Sequence, residues 1–113
     1  MSLLVAVAML GGQAAAPSPP LGLLFSFYRM NVFRERAKEL HCDAGDLDRE
    51  LEGIRHQLAR RYGEKPFSPP EHPPSGAAGD CSVMLMVYRR NMADFRREAA
   101  AALSAPAPPS TPE

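Results

Sequence analysis

Apolar residues recur at alternating spacings of four and three through the middle of the chain, and this heptad pattern constrains the fold more than any other feature. The members of the pattern are Phe33, Ala37, Leu40, Ala44, Leu47, Leu51, Ile54 and Leu58. In a helix, this spacing places the side chains in one stripe along one face. Such a stripe is normally buried against another helix, so the pattern predicts an all-α chain of the coiled-coil or helical-hairpin type.

Twelve prolines limit where helices can form in this 113-residue chain. They cluster at 17–20, 66–74 and 106–112. Proline lacks an amide donor and clashes with the preceding turn, so these clusters are excluded from helix interiors. The sequence therefore predicts an apolar flexible tail, a helical region, a proline-rich linker, a second helix and a disordered tail at residues 1–20, 21–65, 66–79, 80–104 and 105–113.

The first helical region leaves two alternatives open at residues 43–46. Gly45 suits the C-cap of one helix and Asp46 suits the N-cap of the next, which would give two helices. The heptad phase nevertheless passes through this stretch without a break. We therefore predict one long helix, kinked or straight, followed by the second helix after the linker, and two helices at 43–46 stay the alternative.

The second helix repeats the four-three alternation of the first, which indicates that the two helical regions use the same kind of contact. A core of about 65 residues supplies only about 3–5 kcal/mol, so we expect the chain to need a protein partner or a second copy. Arg55, next to the stripe but off it, is expected on a solvated face. The predicted partner-binding residues are Phe33, Leu40, Leu47, Leu51, Ile54, Leu58, Leu85, Tyr88, Met92 and Phe95.

The two cysteines, Cys42 and Cys81, are too few for a disulfide framework and are typical of a reducing compartment. In a simple hairpin of the two helices, they would lie about 25 Å apart at the helical rise per residue. A disulfide cannot span that distance. We therefore predict no intramolecular bridge and an intracellular location, either cytoplasmic or nuclear.

The charged residues and the histidines argue against several classes of function. Thirteen basic residues balance thirteen acidic ones, so no surplus charge favours nucleic acid. A metal site needs three or four converging ligands, whereas only His41 and Cys42 are close in sequence, and adjacent helical residues point about 100° apart. We predict no metal, no cofactor, no small-molecule substrate and no catalytic residue. The expected function is non-enzymatic: an adaptor, an assembly factor or a small subunit of a larger complex.

The N-terminal segment supports an alternative. Residues 1–28 carry no charged side chain, and the apolar run that begins at Leu3 ends in small residues at Ala16, as in a signal peptide. A secreted or membrane-associated protein whose mature chain begins near Pro17 is therefore the alternative reading, and cleavage stays open. A membrane span needs about 20 unbroken apolar residues. The prolines at 17–20 interrupt this segment, so no span is predicted.

Two short motifs point to modification or to a family. Ser68 and Thr111 each precede proline and are predicted phosphorylation sites.

Tyr-Arg-x-Asn occurs at 28–31 and again at 88–91. These segments resemble the Leu-Tyr-Arg signature of the LYR proteins, small helical mitochondrial assembly factors, although phenylalanine or valine replaces the leucine and the proline-rich linker departs from that family's three-helix order. The resemblance implies a mitochondrial assembly factor as a further alternative.

Overall fold

The computed structural model describes residues 17–69 and 79–106, and within these ranges all regular structure is helical. The elements are α1 (Leu21–Glu39), α2 (Gly45–Tyr62), a single 3-10 turn, η1 (Lys65–Phe67), and α3 (Cys81–Ser104). The predicted all-α class is confirmed. The predicted tails fall almost entirely outside the described residues, and so does Thr111.

The single long helix predicted across residues 43–46 is wrong, because the chain turns immediately after α1. His41 has a φ of 58°, in the left-handed region. The Cys42 amide donates to the Ala37 carbonyl at 2.8 Å, and the His41 amide donates to the Lys38 carbonyl at 3.0 Å. This pair of bonds is a Schellman motif, which satisfies the last carbonyls of a helix and ends it. Two helices therefore stand where one was predicted.

Helix α3 packs antiparallel to α1. The rings of Phe27 and Phe95 lie with their centroids 6.2 Å apart, and those of Phe33 and Tyr88 lie 6.5 Å apart. The later residue of α1 faces the earlier residue of α3, so the two helices run in opposite directions. This pair forms the most extensive helix contact of the described bundle.

Helix α2 packs parallel to α3. Near the start of both helices, Tyr88 Oη donates to Asp48 Oδ1 at 2.8 Å. Near their ends, Arg61 Nη2 donates to the Ala105 carbonyl at 2.8 Å. The core lies where the three helices meet. Its largest fully buried side chains are Tyr88, Phe67, Phe95, Met30, Leu51, Leu58 and Met92.

The η1 turn closes the end of the bundle opposite the α1–α2 connection. Phe67, which the sequence analysis assigned to the linker, is fully buried. Its ring lies 5.3 Å from that of Phe27 and 5.9 Å from that of Tyr62, centroid to centroid. Ser68 follows at the surface, where its hydroxyl donates to the Glu64 carbonyl at 2.9 Å. The chain thus packs into the core beyond Pro66 before it reaches the predicted phosphorylation site.

A disulfide joins Cys42 to Cys81, with their Cα atoms 5.4 Å apart, so the predicted absence of an intramolecular bridge is wrong. That prediction assumed one long helix. Because the chain turns at His41, Cys42 arrives instead beside the start of α3. The bond closes a loop across a sequence separation of 39 and ties the α1–α2 turn to α3. Cross-links of this kind restrict the unfolded chain and thereby favour the folded state.

The α1–α2 turn yields a first prediction. In a histidine with positive φ, the Cβ lies too close to the backbone, which destabilises the fold. Glycine has no Cβ and avoids this clash. His41→Gly should therefore raise the free energy of unfolding by about 0.5–1 kcal/mol, whereas the β-branched His41→Val should lower it by about 1 kcal/mol or more. Urea denaturation followed by circular dichroism measures both. A His41→Gly variant less stable than the parent would contradict the left-handed turn.

Candidate interaction surfaces

All the predicted partner-binding residues except Leu40 belong to the core of the bundle or pack against it. The buried members are Leu47, Leu51, Leu58, Tyr88, Met92 and Phe95, and the half-buried members are Phe33, Leu40, Ile54 and Leu85. The stripes of α1 and α2 therefore pack against α3 of the same chain. An outside partner could reach the buried residues only if the helices separated, so candidate contact surfaces must be sought on the outer faces.

Tyr88 shows how a polar group is accommodated in this interior. Its side chain is fully buried, and its hydroxyl donates to the Asp48 carboxylate. Burial, together with this hydrogen bond to a carboxylate, raises the pKa of Tyr88 well above its usual range. The phenol therefore keeps its proton, and keeps donating, at alkaline pH values where an unperturbed tyrosine would ionise. Its role is to hold α3 against α2.

Arg55 does not lie on a solvated face as predicted, because only 13% of its side chain is exposed. Its Nε donates to Glu52 at 3.0 Å, and its Nη1 contacts Glu64 at 3.3 Å and the Phe67 carbonyl at 3.5 Å. Glu52 also accepts from Arg34 of α1 at 3.2 Å. The hydrogen bond from Arg55 is the main cause that lowers the pKa of Glu52. This cluster of charges links α1, α2 and η1.

A second prediction tests the Arg55 cluster. Arg55→Glu would place a third carboxylate beside Glu52 and Glu64, so it should lower the free energy of unfolding by about 2–4 kcal/mol. The matched control is Arg49→Glu, since Arg49 is 75% exposed and, among the described residues, pairs only with Asp46 on its own helix. That change should cost about 1 kcal/mol or less. Urea denaturation measures both, and equal losses would show that Arg55 is as solvated as Arg49.

Helix α1 carries an apolar stripe on the face turned away from the core. Leu21, Phe25 and Tyr28 are 66%, 61% and 47% exposed, respectively. Their spacings of four and three place them in one row, which we call the outer stripe of α1. Val32 continues the spacing but is buried. The exposed row is thus confined to the N-terminal half of the helix.

Helix α3 carries a second exposed apolar group near its N-terminus. Val83 and Met86 are 52% and 49% exposed and lie three residues apart. Arg90 follows one turn later on the same face and is also exposed. These three residues form what we call the α3 patch. The patch lies on the face of α3 opposite the buried Tyr88 and Met92, so it points away from both α1 and α2.

Several arginines near these surfaces have no acidic partner within the described residues. Arg29 and Arg36 of α1 and Arg89 and Arg90 of α3 take part in none of the salt bridges found there. Arg96, by contrast, pairs with Glu50 across the α2–α3 contact. Arg29, Arg89 and Arg90 are exposed and available to an acidic or anionic partner, whereas the Nε of Arg36 is buried.

Other features of the described surface offer little chemistry. An open cleft of about 830 Å³ beside the disulfide is lined by charges of both signs, among them Arg34, Lys38 and Glu52. Within residues 17–69 and 79–106, no three His, Cys, Asp or Glu side chains are grouped so as to hold a metal ion. His41 is exposed, and its neighbour Cys42 is in the disulfide. None of the described helices is long and apolar enough to cross a membrane.

The two Tyr-Arg-x-Asn segments have only part of their structure in common. The side-chain amides of Asn31 and Asn91 each donate to the backbone carbonyl four residues earlier, at 2.8 Å. Tyr28, however, is 47% exposed, whereas Tyr88 is fully buried. The shared motif therefore produces a shared local hydrogen bond, but it places its tyrosines in different environments.

Comparison with known proteins found no matching family model, no matching curated protein and no matching solved structure. The resemblance to LYR proteins therefore stays a prediction. A proposal for function depends on the surface of the bundle itself.

Proposed function

We propose that this chain is a non-enzymatic helical interaction module that acts as an adaptor, an assembly factor or a small subunit of a larger complex. The observation that supports this proposal is the α3 patch, which is apolar and exposed. The inner faces of α1 and α2 already pack against α3. Exposed large apolar side chains in a row on an outer face are typical of a contact surface.

The α3 patch has the chemistry of a protein contact. Methionine adapts its shape to a partner, and methionine and arginine are enriched in protein interfaces. Val83 and Met86 supply the apolar centre, while Arg89 and Arg90 supply unpaired charge at its edge. Complementary charge favours correct pairing and fast association. The partner is therefore expected to present an apolar helical face flanked by aspartate or glutamate.

Affinity purification with quantitative mass spectrometry tests this proposal. A captured protein is taken as a partner only if a variant of the α3 patch captures less of it than the parent does. Met86→Glu places a negative charge at the apolar centre of the patch and should reduce capture of a true partner about tenfold or more. The control is Gln57→Glu, at an exposed position on α2, which should leave capture unchanged. Circular dichroism checks that both variants keep the parent's helix content. If every protein captured by the parent is kept by Met86→Glu, the α3 patch is not the contact surface.

A secreted or membrane-associated protein with an N-terminal signal segment is the second candidate, and the disulfide is the observation that favours it. Disulfides form and persist in oxidising compartments and are rare in the cytosol and nucleus. Cys42 and Cys81 form such a bond here. The bond supports an oxidising location over the cytoplasmic or nuclear one expected from the cysteine count. An interaction module and an exported protein are compatible with each other.

Two measurements on the protein isolated from cells test the export proposal. A maleimide added at lysis should label neither cysteine until a reductant is added, because both sulfurs are held in the bond. N-terminal sequencing should give a mature chain that begins near Pro17 if the signal segment is removed. Both cysteines labelled without reductant, together with an N-terminus at Met1 or Ser2, would rule out this candidate.

A further inference from the structure

We propose that the outer stripe of α1 docks on the surface of a lipid bilayer, with the N-terminal half of α1 lying at the boundary between headgroups and acyl chains. This proposal concerns a different helix from the α3 patch and goes beyond binding of a protein partner. It depends on four properties of α1. These are the position of its first charged residue, the exposure of its apolar side chains, the core contacts that fix its orientation and the position of the unpaired Arg29.

Charge begins abruptly within α1. Residues 1–28 contain no charged side chain, whereas residues 29–39 contain six. The outer stripe, at Leu21, Phe25 and Tyr28, lies wholly on the uncharged side of this boundary. Contact with acyl chains requires an apolar face without charges, and the charged part of the helix would remain in water. The six charged residues are Arg29, Arg34, Glu35, Arg36, Lys38 and Glu39.

The exposed side chains of the stripe suit a bilayer interface. Leucine and phenylalanine are typical of the inserted face of an interfacial helix, and tyrosine places its ring in the apolar layer and its hydroxyl among the headgroups. The exposed fraction falls from 66% at Leu21 to 47% at Tyr28, toward the charged part of the helix. The N-terminal end of α1 would therefore insert most deeply.

Helix α1 cannot hide this stripe by rotating. Leu23, Phe27 and Met30 lie on its other face and are 3%, 3% and 1% exposed, within the core. Turning the outer stripe inward would expose these side chains, each of which contributes about 1.5–3 kcal/mol by burial. The outward orientation of Phe25 is therefore set by the packing of its neighbours.

Arg29 directly follows Tyr28, the last residue of the outer stripe, where lipid phosphates would be. It is exposed and forms no salt bridge within the described residues. Arginine near a membrane pairs with phosphate and is attracted to anionic lipid. The whole chain has no net charge, so apolar contacts should supply most of the affinity for the bilayer. Anionic lipid should increase that affinity further.

Vesicle flotation with the full chain tests the proposal, with phosphatidylcholine vesicles and with vesicles that also contain phosphatidylserine. The parent should float with both, and more with phosphatidylserine. Phe25→Glu should lower the partition coefficient about tenfold or more, because it places a charge in the inserted face. Gln57→Glu on α2 is the matched control and should float like the parent. Arg29→Glu should lose the gain from phosphatidylserine while keeping the binding to phosphatidylcholine.

The proposal is overturned if the parent does not float, or if Phe25→Glu floats as well as the parent. A second copy is the rival occupant of the stripe, and light scattering after size-exclusion chromatography separates the two. A dimer that Phe25→Glu dissociates, together with no flotation of the parent, would assign the stripe to self-association. Circular dichroism must show the parent's helix content for each variant, so that loss of binding is not loss of fold.

Discussion

The packing of one face of α3 against both α1 and α2 is the interaction on which the rest of the bundle depends. Tyr88, Met92 and Phe95 have no exposed surface, and each large apolar side chain buried in this way contributes about 1.5–3 kcal/mol. Helices α1 and α2 touch each other little, and the Arg34–Glu52 pair is a direct link between them. Helix α3 therefore supplies the common surface that holds the other two in place.

Two local structures fix where α3 can lie. At one end, the turn at His41 brings Cys42 to Cys81, and the disulfide anchors the start of α3. At the other end, Phe67 fills the space beside Phe27 and Tyr62 after α2 has ended. A short chain with one modest core benefits from such additional constraints. Both ends of the described bundle are therefore closed by contacts within the chain.

Because the inner faces are used within the chain, function has to be sought on the outer faces. The two exposed groups differ in chemistry: α1 offers aromatic and aliphatic side chains free of charge, and α3 offers an apolar pair beside unpaired arginines. On our proposals, the first contacts lipid and the second contacts an acidic helical partner. A chain with both surfaces could hold a partner close to a membrane. A disulfide-bonded chain would do so on the side of the membrane that faces an oxidising compartment.

The sequence by itself determined the all-α class and most of the buried positions of α2 and α3, because helix periodicity is a local property that the order of residues records directly. The heptad pattern marks Leu51, Tyr88 and Phe95, which are buried, although we predicted them as contacts with a partner. Only the tertiary structure decided that these stripes meet within one chain. It also decided that Arg55 is enclosed and that Cys42 reaches Cys81, since both depend on where the chain turns. That turn is formed by a left-handed histidine, which leaves no signal in the heptad phase, so distances between residues far apart in sequence could not be predicted.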